Sequence, residues 1–121
     1  MSNDIREIID AANAGNAAAK MSVDVFVASA RHWIGSYFFE LNGADAIVFT
    51  AGIGENRADI REAICANLDQ LGIVLDPGKN KSTRATEAVI SAANSRVKIM
   101  VIPTNEELVV AREVKRFLEN N

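Results

Sequence analysis

The sequence predicts an α/β fold in which a small, mainly parallel sheet is flanked by helices. Two observations carry this: apolar, β-branched runs at residues 46–50 and 97–102, each handing over to a segment with helical apolar spacing. Strands that alternate with helices imply parallel pairing and right-handed crossovers. A third observation concerns the first hand-over, "TAGIGEN", which holds two of the chain's seven glycines.

The elements follow in order. Residues 4–14 read as a short helix stopped by Gly15. Asn16 can cap a long helix to about residue 41, whose broad apolar face includes Val23, Phe26, Val27, Ala30, Trp33, Ile34, Tyr37 and Phe38. Asn42-Gly43 supplies a stop able to take the left-handed conformation. The strand at 46–50 precedes a helix from Asn56 to about Leu71, spaced by Ile60, Ala63, Ile64 and Leu68. Residues 73–76 form at most a short edge strand closed by Pro77-Gly78. A weaker helix is expected at 84–93, a strong strand at 97–102 and a last helix at 104–118.

Composition narrows the class. A chain of 121 residues is one domain, 1–121, and 49% hydrophobic with 24% charged residues is globular. A net charge of −3 and a pI near 5.1 argue against nucleic acid or an anionic membrane as partner. The single cysteine, Cys65, excludes an internal disulfide and fits a reducing compartment. With no charged-then-apolar leader and no bilayer-length apolar run, a soluble, cytoplasmic protein is expected. His32, the only histidine, falls mid-helix and reads as a structural or partly exposed residue.

Ligands of open α/β sheets sit outside the carboxyl ends of the strands, so both turns, "TAGIGEN" and "PTNEE", are expected on one edge. Gly52 and Gly54 permit positive φ and close approach of a ligand, and the helix start behind them favours a phosphate. The same glycines also suit a plain tight turn with Asn56 as helix cap, and spacing alone leaves both readings open. The third glycine of the dinucleotide fingerprint is absent. In the second turn Thr104 and Glu107 fit a capping box, which leaves Glu106 without a structural task. It could hold Mg²⁺ directly or through water, or simply complement the helix dipole.

Taken together, "DAIVFTAGIGENRADIREAI", "LGIVLD" and "VIPTNEELVVAREV" resemble the C-terminal part of the acetate kinase family, within the acetate and sugar kinase, Hsc70 and actin superfamily. "SNDIREI" and "AAAKMSVDVFVASARHWIGSYFFELNGADA" extend the resemblance upstream, so that it covers residues 2–118 in order. The resemblance implies a ribonuclease H-like, actin-like ATPase C-terminal half, and phosphoryl transfer between ATP and acetate with Mg²⁺. It assigns Gly52, Ile53, Gly54, Glu55 and Asn56 to the nucleotide turn, Asp4 and Arg6 to the adenosine part, and Glu106 to Mg²⁺. Without it, Asp4 and Arg6 read as a helix-start carboxylate and a solvated arginine.

The resemblance reaches roughly the last third of a family member. It places the family's catalytic arginines, aspartate and active-site histidine outside the matched part, so this chain alone is expected to be inactive. Met1 directly before "SNDIREI" cuts into a family segment, which favours truncation. A fragment of a propionate or butyrate kinase, or a non-catalytic binding or assembly module, are the alternatives. Finally, the long helix carries more aromatic surface than a two-strand remnant buries, and the family resemblance implies pairing through C-terminal halves, so a homo-oligomer, most simply a dimer, is expected.

Overall fold

The computed structural model describes residues 4–104, 112, 114–116, 118 and 119. Asp4 caps α1 (Ile5–Asn13) by accepting the Arg6 N–H at 2.9 Å, and Asn16 caps α2 (Ala17–Glu40) through the Ala19 N–H at 2.9 Å. As expected from Asn42-Gly43, α2 stops with both residues at positive φ, and the Gly43 N–H returns to the Phe38 carbonyl.

The sheet is mixed rather than mainly parallel. β1 (Ala46–Phe49) runs parallel to β3 (Lys98–Val101) in the register Ile47 to Ile99, while β2 (Ala88–Val89) is antiparallel to β3, giving the order β1-β3-β2. The third strand falls where a helix is expected. Ile90 explains the outcome: fully buried, it donates its N–H to the Ile99 carbonyl and accepts from the Asp76 N–H, so residues 88–91 are held extended between two neighbours. Tertiary pairing outweighs a weak helical pattern. Residues 73–76 contribute a single bridge, Leu75 to Ser91.

Two other boundaries differ from expectation. Asp76-Pro77-Gly78 does not simply close a strand; Asp76 caps a short helix, α5 (Pro77–Ser82), through the Lys79 N–H, with proline at its first turn. The helix expected over 56–71 is α4 (Ala58–Cys65) followed by a 3₁₀ turn (Asp69–Leu71). Arg31 of α2 ends it: its Nη1 donates to the carbonyls of Ile64 and Ala66 at 2.7 and 2.8 Å, which satisfies the last turn of α4.

The core gathers Ile9, Phe49, Ile60, Ile64, Ile73, Ile90, Val97, Ile99 and Val101. Cys65 belongs to it, and burial pushes its thiol up to about 11. α2 meets this core through one stripe only, Val23, Val27, Ala30, Ile34 and Phe38. Beside that stripe Trp33 is 57% exposed and Tyr37 62%, and Phe39, 84% exposed, lies on the far side of the helix. His32 is also exposed and stacks edge-on against Trp33.

Candidate functional site

The parallel register of β1 and β3 brings their carboxyl ends level, and both following turns leave from one edge of the sheet. Ile102 N–H donates to the Phe49 carbonyl at 2.9 Å, and the hydroxyls of Thr50 and Thr104 lie 3.4 Å apart. The expectation for the placement of the turns therefore holds as far as Thr104. Glu106 and Glu107 lie outside the described residues, so the candidate Mg²⁺ residue and the capping box have no structural description here. Among the described residues no group of three or more His, Cys, Asp or Glu stands together for a metal.

The glycine turn is sharper than a simple strand-to-helix junction. Residues 51–56 form a short helical turn, α3 (Ala51–Asn56), entered through two consecutive positive φ values, 58° at Ala51 and 24° at Gly52. The left-handed conformation costs an alanine roughly 1–2 kcal/mol, so Ala51 is held there by its surroundings. The two glycines do different things. A β-carbon on Gly52 would meet nothing within 4 Å, whereas one on Gly54 would touch the Phe49 backbone and Cβ at 3.5 Å. Gly52 thus leaves an open approach to the backbone, and Gly54 lets the turn lie close on β1.

The other predicted turn residues act as braces. Asn56 is not a helix cap; its Nδ2 donates back to the Gly52 carbonyl at 2.8 Å, and the residue at the α4 cap position is Arg57. The Glu55 carboxylate accepts the Thr104 N–H at 2.9 Å and the Thr104 hydroxyl at 3.3 Å, which joins the first turn to the second. Ile53 packs against the core. Asp4 and Arg6 lie at the start of α1, in a two-pronged ion pair with bonds of 3.0 and 3.2 Å. The hydrogen bond from Arg6 holds the Asp4 carboxyl below the usual carboxylate range. The far end of α1 reaches the α4 start: Arg57 bonds Asp10 and Asp59, and Asn13 bonds Asp59.

Arg61 is the functional-site neighbour that sequence reasoning missed. It has no solvent exposure, and its Nη1 donates to the Gly54 carbonyl at 3.0 Å. The signal was present in the spacing: on a helix Ile60, Ile64 and Cys65 span an arc of about 140°, and Arg61 falls inside it at about 100°. A fully enclosed arginine requires acceptors, and Asn80 and Thr83 supply them.

The glycine-bearing, heavily braced turn thus stands at the carboxyl edge of an α/β sheet, the edge where open sheets of this class place their ligands. The chain belongs to the acetokinase family: the profile described as "Acetokinase family" matches residues 1–112. It is 53% identical over 113 residues to the acetate kinase of Syntrophomonas wolfei subsp. wolfei, covering 93% of this chain and 28% of that one. Against the acetate kinase of Methanosarcina thermophila it is 49% identical over 119 residues, 98% of this chain and 29% of the other. The chain thus spans less than a third of the length of these relatives. Among solved structures, Porphyromonas gingivalis acetate kinase superposes with a TM-score of 0.85 at 37% identity over 97% of this chain and 29% of that one. A propionate kinase from Francisella tularensis gives 0.77 at 42% identity over 92% and 28%. Among the described residues no helix is long and apolar enough to cross a membrane.

Proposed function

We propose that this chain is the nucleotide-binding, C-terminal portion of an acetate kinase, with the ribonuclease H-like topology of that half, working in the cytoplasm. In the complete enzyme an acetate carboxylate oxygen bonds to the γ-phosphorus of ATP as the bond to the β–γ bridging oxygen breaks, which yields acetyl phosphate and ADP. The observation that carries the reading is the Gly52 turn: the backbone is open to a ligand at the sheet edge where α/β folds bind, in a chain 49–53% identical to acetate kinases. In it Gly52, Ile53, Gly54, Glu55 and Asn56 take the phosphates, and Asp4 and Arg6 the adenosine part. Glu106 takes Mg²⁺, which supplies neutralisation of charge on the phosphate oxygens. A propionate kinase fragment is the second reading, favoured by the Francisella tularensis neighbour.

Phosphoryl transfer depends on clamping the transferring group from both sides of a cleft, and this chain spans less than a third of the relatives' length. Two results are therefore expected in one preparation. ADP binds with a dissociation constant on the order of a millimolar, with amide shifts centred on residues 52–56. A coupled assay with ATP, acetate and Mg²⁺ shows no acetate-dependent ADP release. Shifts confined to other parts of the chain would refute the site, and acetate-dependent turnover would refute the inactivity.

The exposed aromatic face of α2 supports a two-fold homodimer, since Phe26, Trp33 and Tyr37, which fall on one side of the helix, form the kind of apolar surface that single soluble chains seldom leave bare. Light scattering at micromolar concentration is expected to give twice the chain mass of 13.1 kDa. A single species at the chain mass would rule the dimer out.

A further inference from the structure

Arg61 is an expensive residue for its position. It is fully buried, yet every hydrogen bond described for its side chain goes to a neutral acceptor: Gly54 carbonyl at 3.0 Å, Asn80 Oδ1 at 2.7 Å, and the carbonyls of Asn80 and Thr83 at 2.9 and 2.6 Å. Removal from water lowers its pKa, and the charge of Asp59 offsets this only in part. Where a core needs only filling, apolar side chains of similar volume often serve as well or better than a buried ion. Asn80 is committed to the same arrangement. It is 1% exposed and gives its Nδ2 to the Ala58 carbonyl at 2.8 Å, so it faces Arg61 in one orientation. One residue beyond Thr83 and Arg84, the Ala85 N–H donates to the Glu55 carbonyl at 2.8 Å. Two successive carbonyls of the glycine turn are thus held, Gly54 by the Arg61 guanidinium and Glu55 by Ala85 of the 80–85 segment that Arg61 also bonds.

We propose that Arg61 is a positioning residue for the nucleotide turn, fixing through the Gly54 carbonyl, and against Asn80 and Thr83, the direction in which residues 52–56 face the ligand. The proposal rests on the nucleotide reading for its purpose, but its structural content concerns the turn itself. A planar fork can reach the Gly54 carbonyl on one prong and Asn80 and Thr83 on the others simultaneously; an ammonium on a flexible stem cannot. Charge alone is therefore insufficient, and a lysine in its place leaves the turn underdetermined.

The test compares the wild-type chain with Arg61→Lys and with Ile64→Val, a core change on the same helix that leaves the Gly54 carbonyl alone. Amide spectra are recorded without ligand, denaturant unfolding measures stability, and ADP is titrated into each protein. Arg61→Lys is expected to shift the amides of residues 52–56 in the free protein, most of all Glu55, whose peptide unit contains the Gly54 carbonyl. It is also expected to bind ADP about tenfold more weakly. Ile64→Val is expected to lower stability while leaving the turn amides and the ADP affinity as in the wild type. Unmoved turn amides in Arg61→Lys overturn the proposal, as does a loss of ADP affinity equal in both variants. If the wild type binds no ADP, the nucleotide reading fails separately, and the turn amides alone decide the role of Arg61. Should Arg61→Lys not fold, Asn80→Ser, which withdraws the Nε acceptor but leaves Arg61, is expected to shift the same turn amides; unmoved amides there overturn the proposal equally.

Discussion

Ile99→Ala is expected to lower folding stability by about 2–5 kcal/mol. Ile99 has no exposure and sits at the middle of β3, with β1 on one side and β2 on the other. Its carbonyl accepts the Ile90 N–H, so its backbone is pinned and the cavity left by truncation cannot close by a strand shift. Against the total of about 5–15 kcal/mol typical of natural domains, that loss empties the native state in mild denaturant. Ile99→Val removes one methylene and is expected to cost about 0.5–1.5 kcal/mol. Urea unfolding followed by Trp33 fluorescence measures both. A loss below about 1 kcal/mol for the alanine would show that the β1-β3-β2 sheet is not the centre of the core.

Gly52→Val is expected to remove measurable ADP binding. The β-carbon would point into open space, so nothing in the fold resists it sterically. Two effects act together: a branched side chain stands where a ligand approaches the backbone, and a β-branched residue at φ 24° strains the turn. The folding cost is about 1–3 kcal/mol, and the affinity falls by at least about tenfold, out of the millimolar range. Gly35→Ala, in α2 and outside the turn, is the matched control: a β-carbon there meets nothing within 4 Å, and ADP binding is expected to survive. Wild-type affinity in Gly52→Val would remove Gly52 from the site.

Much of this fold was legible in the residues, for reasons that differ by element. The long helix α2, its Asn16 cap and its Asn42-Gly43 stop rest on local signals, and all three hold. β1 and β3 were legible because their β-branched and aromatic residues form short apolar runs, although burial is complete only at Phe49 in β1 and at Ile99 and Val101 in β3. β2 was not, because Ala88 and Val89 are extended only by virtue of β3 beside them. Pro77-Gly78 reads as the close of a strand although Asp76-Pro77 starts a helix, and only the chain beyond decides which. In the candidate site the position of the turn was legible from its glycines, while the division of labour between Gly52 and Gly54, and the bracing by Arg61 and Asn80, depend on which atoms lie behind the backbone. Asn56 shows the limit well: a residue with good capping chemistry spends its side chain on the turn before it.

The braces on that turn have an entropic consequence. Gly52 is closed by the Asn56 amide, Gly54 by Arg61, Glu55 by Ala85 through its carbonyl and by Thr104 through its carboxylate. A loose loop of six residues would surrender backbone freedom when it wrapped a ligand, at about 1–2 kcal/mol for each residue ordered. Here that freedom has already gone at folding. A molecule arriving at residues 51–56 meets a mould rather than a net: whatever fits its shape keeps nearly all of its contact energy, and whatever does not fit cannot coax the turn into another form.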